Sequence, residues 1–463
     1  MEKLKARNII IIGAGITGLS LLHFLRKKYA ERPDVAISLF EKNIQAGGSI
    51  HTLERAGAKF ECGPNGFLDN KEMTMRLVEE LSLKNEMITA KEDAGSRFIS
   101  LNDRLYPLPT NPKELIKSPL FNTYEKVRLF CEPLIRRSEK PSESVYDFAK
   151  RRFGTRVADC LADPFISGIY AGDARNILMK AALPQVCQWE KDYGSVLKAL
   201  RSRSQSETRP PMPRLNSFKR GMGQVIEALA AAYQDNLRLK ETVVKIFHRQ
   251  DRYVVGTEKD TFKADELFVC TPAHATSEII RSLDAEIADD LSYMAYAPVV
   301  VLGLLVPENI FERKPVGFGY LVPSSQNKEI LGVLFESNIF PHRAPQGHLL
   351  IRLMLGGIRH PDIFHKSKKE LMEMAFKELE RTFQTRGNSP LTKIDLHKVA
   401  ETFYVTWEKA IPQYDQVNEQ MNTHIDLKLK RFRDLYLLGN YRNGVSFNDC
   451  IQNAFTHAQY SSL

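Results

Sequence analysis

Apolar positions in the first forty residues follow a strand pattern, then a helical pattern, then a strand pattern again. The run at 8–12 is continuous and rich in isoleucine, and after a glycine-rich turn leucines recur at helical spacing as far as Leu25. A second apolar run begins at Val35 and ends at Glu41. This succession predicts a βαβ unit and therefore a parallel sheet.

The rest of the chain divides into a helical part and a strand-rich part. From about 113 to 200 apolar residues alternate with basic ones at helical spacing, and Ser144 is a suitable N-cap for a helix at 145–153 that ends at Gly154. The segment 202–214 has the Ser, Pro and Arg content of a linker. Beyond it the pattern predicts helices at 223–233 and 367–384, a hairpin at 241–257, and strands at 267–271, 296–306, 317–335 and 348–355.

Composition indicates a globular, enzyme-sized protein. A length of 463 residues predicts two or three domains, and the six cysteines show neither a C-x-x-C pair nor a nearby His cluster, so we expect neither zinc nor disulfides. The basic, apolar start suggests a secretory signal, but its glycines fit a strand, turn and helix better. No apolar stretch reaches the roughly 18 residues that span a bilayer. We therefore expect a cytoplasmic protein that is not secreted and has no transmembrane helix.

Positive charge is in excess, with a net charge of +9 and a pI near 9.0. It is concentrated after 198, where Glu207 is the one acid among these basic residues: Lys198, Arg201, Arg203, Arg209, Arg214, Lys219 and Arg220. A solvated basic loop explains the cluster, and so does contact with anionic lipid or an acidic substrate. Nucleic acid is not expected, because no nucleic-acid motif accompanies the charge.

The turn after the first predicted strand carries chemistry. It has the form G-x-G-x-x-G and reads Gly13-Ala14-Gly15-Ile16-Thr17-Gly18. Gly13 permits the tight turn, Gly15 lets a pyrophosphate approach the backbone, and Gly18 lets helix and strand pack closely. The helix N-terminus presents N–H groups to the phosphates. Glu41, at the end of the second strand, can accept hydrogen bonds from ribose hydroxyls. These features predict dinucleotide binding.

Two further glycine turns follow the second strand. They read Ala46-Gly47-Gly48-Ser49 and Gly63-Pro64-Asn65-Gly66. Backbone without Cβ atoms can approach a ligand closely, and two such turns suit a long, extended cofactor. The sequence therefore favours FAD over NAD.

These segments resemble a known family. Residues 13–18, Glu41-Lys42, Gly47-Gly48 and 63–66 resemble the flavin-containing amine oxidase and protoporphyrinogen oxidase superfamily. Within it, four later segments are similar to the oxygen-dependent protoporphyrinogen oxidases: 163–173, 317–325, 411–414 and 438–450. The resemblance covers almost the whole chain.

The resemblance implies an α/β protein with a discontinuous Rossmann-like FAD-binding domain, a mixed-sheet α+β substrate domain and an α-helical insertion. The FAD-binding domain would combine 1–90, 206–280 and 405–463, and the substrate domain 91–112 and 281–404. The insertion, 113–205, would correspond to the part through which family members dock on membranes without spanning them.

The resemblance also implies where FAD lies. Besides the glycine turns, Glu41 and Lys42, Val243 would offer its backbone to the adenine and Trp407 would lie near the flavin. The turn Gly444-Val445-Ser446 opens a last helix and would direct N–H groups at the N1/O2 edge of the flavin. A helix N-terminus there stabilises the negative charge of reduced flavin. Many superfamily members have arginine where this chain has Ser49, so no arginine contact to pyrophosphate is implied at that position.

The implied reaction removes six electrons from a porphyrinogen in three steps, by hydride transfer from a methylene bridge to flavin N5 and reoxidation by oxygen to hydrogen peroxide. Arg97 falls where the family places its propionate-binding arginine. Gly172, Phe318, Gly319 and Leu321 would line an apolar slot for the macrocycle. No catalytic acid–base pair is expected, because tautomerisation of the porphyrinogen can use solvent, and no metal is expected, because no ligand cluster stands in the sequence.

Several alternatives stay open. The segments 317–325 and 444–450 favour protoporphyrinogen IX, whereas coproporphyrinogen III has four propionates and suits the positive net charge. An amine oxidase or carotenoid desaturase relative would lack 163–173, and a non-catalytic flavin-binding interaction protein would use its basic insertion. Docking on an anionic membrane surface through 113–137 and the stretch after 198, and assembly as a homodimer, are also open.

Overall fold

The computed structural model describes residues 6–138, 140, 142–204, 212–311, 314–383 and 398–461. The strands in this part of the chain are β1 (Arg7–Ile12), β2 (Val35–Glu41), β3 (Thr52–Arg55), β4 (Ala58–Glu61), β5 (Phe67–Leu68), β6 (Met87–Thr89), β7 (Arg97–Leu101), β8 (Arg104–Pro107), β9 (Leu215–Phe218), β10 (Leu237–Leu239), β11 (Val243–Arg249), β12 (Arg252–Thr257), β13 (Thr261–Ala264), β14 (Glu266–Val269), β15 (Tyr296–Pro307), β16 (Gly319–Leu321), β17 (Ile330–Phe335), β18 (His348–Gly356), β19 (Glu401–Pro412) and β20 (Leu435–Leu437).

The helices in the same ranges are α1 (Ile16–Lys28), α2 (Glu72–Glu80), α3 (Pro112–Lys117), α4 (Thr123–Phe130), α5 (Val145–Phe153), α6 (Thr155–Val157), α7 (Asp163–Tyr170), α8 (Met179–Ala182), α9 (Pro184–Tyr193), α10 (Val196–Ser204), α11 (Gly223–Ala232), α12 (Ala273–Ile280), α13 (Ala285–Ser292), α14 (Glu336–Ile339), α15 (Lys368–Phe383), α16 (Gln416–Leu429) and α17 (Phe447–Tyr460). A π-helical turn at Ala158–Ala162 joins α6 to α7. The predicted helices and hairpin are confirmed to within a few residues.

A five-stranded parallel sheet forms one half of the molecule, in the order β10-β2-β1-β14-β20. The uninterrupted apolar run of β1 follows from its central position, because both faces of the strand are covered. Ile9 and Ile11 enter the core on the side of α1, and Ile10 and Ile12 enter the core on the opposite side. The predicted βαβ unit is confirmed.

The two ends of the chain meet in this half. Helix α17 packs against α1 in one apolar core. The Lys28 ammonium, at the end of α1, donates to the carbonyls of Ala458 and Gln459 at 3.0 and 2.9 Å. These carbonyls lie in the last turn of α17, where a cation is favourable. The first and last described helices therefore support the same sheet.

A seven-stranded sheet forms the second half, in the order β19-β15-β18-β17-β16-β7-β8. Its neighbours are antiparallel except for β16 and β7. The apolar stretch at 299–306, far too short to span a membrane, belongs to its buried strand β15. Val300 and Leu302 enter the core beneath α15, and Val299 and Val301 face the other core. The predicted α/β class, with a Rossmann-like part and a mixed sheet, is confirmed.

The segment from 112 to 204 is helical, as predicted, from α3 to α10. The Ser144 hydroxyl accepts the Asp147 N–H and caps α5, which ends at Gly154 with φ +95°. Arg152 is fully buried and pairs with Glu132 and Glu190 at 3.0 and 2.6 Å. Removing one member would leave an unpaired buried charge, so this network holds the Glu132 turn, α5 and α9 together.

The expected domain boundaries do not all coincide with breaks between elements of the structure. The boundary at 205/206 lies outside the described residues, as do Glu207 and Arg209 of the basic stretch. Strand β19 runs through the boundary at 404/405 because it stays paired with β15 as far as Pro412. Helix α13 follows the boundary at 280/281 but shares a core with the parallel sheet. The boundaries remain predictions. No helix in the described ranges has the length and apolar character needed to cross a bilayer.

Candidate functional site

The first glycine turn is tightly packed at Gly13 and Gly18 and has open space at Gly15. Gly13, at φ +99°, donates its N–H to the Phe40 carbonyl at 2.8 Å. A Cβ on Gly18 would lie 2.0 Å from the Gly13 carbonyl oxygen, so this position must be glycine. A Cβ on Gly15 would meet no atom of the described residues within 4 Å. Packing requires Gly13 and Gly18, whereas Gly15 leaves space in which a ligand can approach the start of α1, where Ile16 and Thr17 lie.

Glu41 is held against this turn. One carboxylate oxygen accepts the Ala14 N–H at 2.9 Å, and the other accepts the Asn43 backbone and side-chain N–H groups at 2.9 and 2.8 Å. Lys42, beside it, is exposed. The Glu241 N–H donates to the Glu41 carbonyl at 2.9 Å. This contact brings the start of β11, with buried Val243, next to Glu41.

The second glycine turn folds over the first. The Gly47 N–H donates to the Ala14 carbonyl at 2.8 Å, and a Cβ on Gly48 would lie 3.5 Å from the Gly15 Cα. Both glycines have positive φ, +128° and +61°. The side chain of Ser49 is exposed, and its carbonyl oxygen would lie 2.2 Å from a Cβ on Gly63. The second turn thus packs on the third through the backbone of residue 49, and the side chain at that position takes no part in this packing.

The third turn, Gly63-Pro64-Asn65-Gly66, carries an unsatisfied amide. Both polar atoms of the Asn65 side chain are buried, and neither has a hydrogen-bond partner among the described residues. A Cβ on Gly66 would lie 2.4 Å from the Asn216 carbonyl oxygen, so the turn is pressed against β9. A buried amide without partners is costly and points to a ligand that completes its bonding.

Residues from the far end of the chain reach the same place. The Trp407 indole N–H donates to the Cys62 carbonyl at 2.9 Å, directly before the third turn. Gly444 donates its N–H to the Tyr414 hydroxyl, Val445 packs near Tyr414, and Ser446 caps α17. The open space at Gly15, the start of α1 without a side-chain cap and the Asn65 amide all fit an extended dinucleotide. The Phe447 ring, directly after Ser446, lies 5.4 Å from the ring of Phe67, directly after the third turn. The structure therefore brings the predicted cofactor residues together.

The predicted substrate residues occupy the neighbouring sheet. Gly319 pairs with Arg97 across the parallel contact of β16 and β7. The exposed Arg97 guanidinium stands over the Phe318 ring, 4.7 Å from its centroid. Gly319 has φ +140°, and a Cβ there would lie 2.1 Å from the Val333 carbonyl oxygen. A cation that has no ion-pair partner among the described residues and lies on an aromatic face suits an anionic group carried by a flat apolar ligand.

The segments 163–173 and 317–325 face each other. A Cβ on Gly168, in α7, would lie 2.8 Å from the Leu321 side chain. The buried Asp163 carboxylate accepts the Ser324 N–H at 2.7 Å and a guanidinium N–H of Arg359 at 2.8 Å. Gly172 lies past the other end of α7. Leu321 thus packs against α7, and Asp163 fixes the helix to the 317–325 segment, whereas Phe318 packs with Ala94, Ile339 and Phe340.

Four buried charged side chains lie together behind the third turn, and the sequence pattern did not predict this group. Arg352 donates to the Gly63 carbonyl at 2.5 Å and approaches Glu336 at 3.5 Å, whereas Arg343 pairs with Glu61. Burial raises the pKa of Glu336. The group holds the turn by its backbone. The signal that was available is Arg352 itself, a lone charge within the apolar strand His348–Gly356.

Cys62 and Tyr170 keep their protons at neutral pH. Burial raises the pKa of Cys62 to about 11 and that of Tyr170 to about 12. The Cys62 thiol is therefore not a ready nucleophile. Among the described residues, no three His, Cys, Asp or Glu side chains converge as ligands of a metal ion.

Comparison with known proteins follows the same lines. A family model described as flavin containing amine oxidoreductase matches residues 29–460. The chain is 28% identical to the chloroplastic protoporphyrinogen oxidase of Nicotiana tabacum, over 96% of this chain and 84% of that protein. It is 25% identical to the coproporphyrinogen III oxidase of Bacillus subtilis, over 96% of each.

Solved structures share the fold. A provisionally named protoporphyrinogen oxidase from Exiguobacterium superposes with a TM-score of 0.83 at 20% identity, over 99% of both chains. Reduced UDP-galactopyranose mutase superposes with a TM-score of 0.73 at 14% identity, over 98% of this chain and 95% of that one. At these identities the likeness shows the architecture alone.

Proposed function

The chain belongs to the flavin-containing amine oxidoreductase family, and from this premise we propose that it oxidises protoporphyrinogen IX to protoporphyrin IX in haem synthesis, with oxygen as the electron acceptor. It is an FAD-dependent oxidase. The observation that carries the choice of a porphyrinogen as substrate is the Arg97 guanidinium over the Phe318 ring. A porphyrinogen joins anionic propionates to a broad apolar ring system, and a cation on an aromatic face offers a partner for each.

Different residues of the chain would hold different parts of FAD. Backbone at Gly15 and the start of α1 would hold the pyrophosphate, and Glu41 would accept the ribose hydroxyls. The Asn65 amide and Trp407 would border the flavin. When bound, FAD supplies the two-electron acceptor for the reaction.

The slot orients the substrate. Phe318, Leu321 and α7 would exclude water from the macrocycle, and the glycine at 319 would let its flat face approach the backbone. The Arg97 guanidinium would anchor one propionate and so direct one methylene bridge toward the cofactor turns. Protons released as the macrocycle rearranges would leave through solvent, so the slot needs no dedicated base.

Coproporphyrinogen III is the second candidate, because the chain resembles oxidases named for both substrates at 25–29% identity. Initial rates of porphyrin fluorescence on the two porphyrinogens distinguish them. We expect kcat/KM to be about tenfold higher for protoporphyrinogen IX, since a pocket that sorts substrates by extra polar groups commonly reaches that ratio. The reverse order would assign the chain to coproporphyrinogen III. If porphyrin fluorescence rises with neither substrate, both candidate functions are contradicted.

We also propose peripheral docking on anionic membranes through the helical segment. It exposes large apolar side chains, including Leu134 and Tyr124 at 83% and 76% exposure: Ile116, Tyr124, Val127, Phe130 and Leu134. Exposed Arg136 and Arg137 lie two and three residues after Leu134. Exposed apolar side chains in the same segment as exposed basic residues suit the lipid interface.

The double substitution Tyr124→Glu with Leu134→Glu is expected to abolish most of this docking. Both changes place charge at the apolar contact, so the fraction that sediments with anionic vesicles should fall about tenfold. Tyr293→Glu is the matched control, because Tyr293 is 68% exposed but lies next to α13. Wild-type protein that stays in the supernatant would contradict docking, and so would equal losses in the two variants.

A further inference from the structure

The segment Ile411-Pro412-Gln413-Tyr414 lies between the cofactor turns and the substrate slot. It begins with the last two residues of β19, and its last two side chains are almost fully buried, at 3% and 7% exposure. Its backbone is fixed on both sides: the Gln413 N–H donates to the Ala295 carbonyl, and the Tyr414 carbonyl accepts the Leu178 N–H, both at 2.9 Å. The two side chains therefore project from a rigid base.

Tyr414 reaches the closing turn. Its hydroxyl accepts the Gly444 N–H at 2.9 Å and donates to the Asn440 carbonyl at 2.8 Å. One hydroxyl thus ties together the two ends of the loop at 440–444. Burial raises the pKa of Tyr414, so the hydroxyl remains a donor at any physiological pH.

Gln413 reaches the wall of the slot instead. Its amide N–H group donates to the Tyr170 carbonyl at 2.9 Å, and Tyr170 is the last residue of α7. A Cβ on Gly172 would lie 2.4 Å from the Gln413 amide oxygen. The amide therefore satisfies a carbonyl that the helix end leaves free and packs against the glycine that follows. The rings of Tyr170 and Tyr414 are 5.9 Å apart, so the two contacts adjoin.

We propose that Gln413 and Tyr414 are paired positioning residues: Tyr414 fixes the 444–446 turn of the FAD site, Gln413 fixes the α7 wall of the substrate slot, and their shared segment sets the distance between the two. The inference rests on the proposed function for the placement of the flavin at 444–446 and of the porphyrinogen against α7.

The experiment compares Tyr414→Phe with Gln413→Met. Tyr414→Phe keeps the ring against Tyr170 but removes both hydrogen bonds, so the Kd for FAD, measured by titrating apoprotein and following flavin fluorescence, should rise about tenfold. The KM for the porphyrinogen should change less than twofold. Gln413→Met keeps the volume but loses the amide, so the pattern should be reversed, with KM about tenfold higher and the FAD Kd within twofold of wild type.

Tyr253→Phe is the matched control. Tyr253 is 1% exposed, and its hydroxyl donates to the Arg433 carbonyl at 2.5 Å, away from the 444–446 turn. It should lower the melting temperature of the apoprotein as Tyr414→Phe does and leave the FAD Kd unchanged. Equal FAD Kd values in wild type and Tyr414→Phe would overturn the proposal, as would an equal rise in Tyr253→Phe. If Tyr414→Phe does not fold, Gln413→Met becomes the deciding variant, and an unchanged KM of Gln413→Met for the porphyrinogen would overturn the proposal.

The FAD titration needs no turnover. If wild type binds FAD but is inactive on porphyrinogens, the proposed function is contradicted separately.

Discussion

Replacing Gly15 by valine is expected to give a folded protein that no longer retains FAD. Gly15 has φ −73° and ψ 179°, which valine adopts without strain, and its Cβ would meet no described atom within 4 Å. The new side chain would occupy the space in which the pyrophosphate approaches the backbone. We expect FAD affinity to fall about a hundredfold, the order that overpacking a filled site costs. The purified variant should be colourless, with an apoprotein melting temperature close to that of wild type.

Gly18→Val separates this effect from a general loss of structure. Its Cβ would lie 2.0 Å from the Gly13 carbonyl oxygen, so the variant should fail to fold or should melt far below wild type. A Gly15→Val protein that is as yellow as wild type would show that the cofactor does not approach this turn. Equal destabilisation of the two variants would contradict the contrast between an open and a closed face.

Replacing Arg97 by alanine is expected to raise the KM for the porphyrinogen about tenfold while kcat stays within twofold. A charge-assisted bond to a propionate away from the reacting carbon contributes equally to the ground state and the transition state, so its loss appears in KM. Arg97→Lys should lie between the two, because it keeps the charge but loses the planar stack on Phe318. Steady-state rates followed by porphyrin fluorescence measure both constants.

Arg104→Ala is the control for Arg97. Arg104 is also exposed and stands on β8, the strand next to β7, so it removes the same charge without touching the Phe318 face. An Arg97→Ala enzyme with unchanged KM would remove this residue from the substrate site. If both substitutions raise the KM for the porphyrinogen equally, Arg97 acts only through the net charge of the protein.

Local patterns predicted the elements and the cofactor turns because each is encoded within a few residues. The unbroken run of β1 reflects a strand covered on both faces, and Ser144 caps the helix that it precedes. The glycine turn at 13–18 requires its spacing for steric reasons that hold in any sequence context. The family resemblance supplied the substrate residues, and the structure places Arg97 against Phe318 and Leu321 against α7.

Contacts between distant segments could not be predicted in the same way. The Gly63 carbonyl is held by Arg352, and the Ser324 N–H by Asp163, and no local pattern pairs residues so far apart. Tyr414 belongs to a recognised segment, yet its link to Gly444 depends on how β19 and the last loop pack together. A buried charge within an apolar strand, such as Arg352, indicates that a partner exists without identifying it.

Anaerobic mixing tests the central claim most directly. Purified yellow protein would be mixed with protoporphyrinogen IX in the absence of oxygen while flavin absorption and porphyrin fluorescence are recorded together. The account predicts that the yellow absorption is lost as the substrate is oxidised and returns on admission of air, with porphyrin fluorescence rising over repeated cycles. Flavin absorption that is unchanged by either porphyrinogen would contradict it.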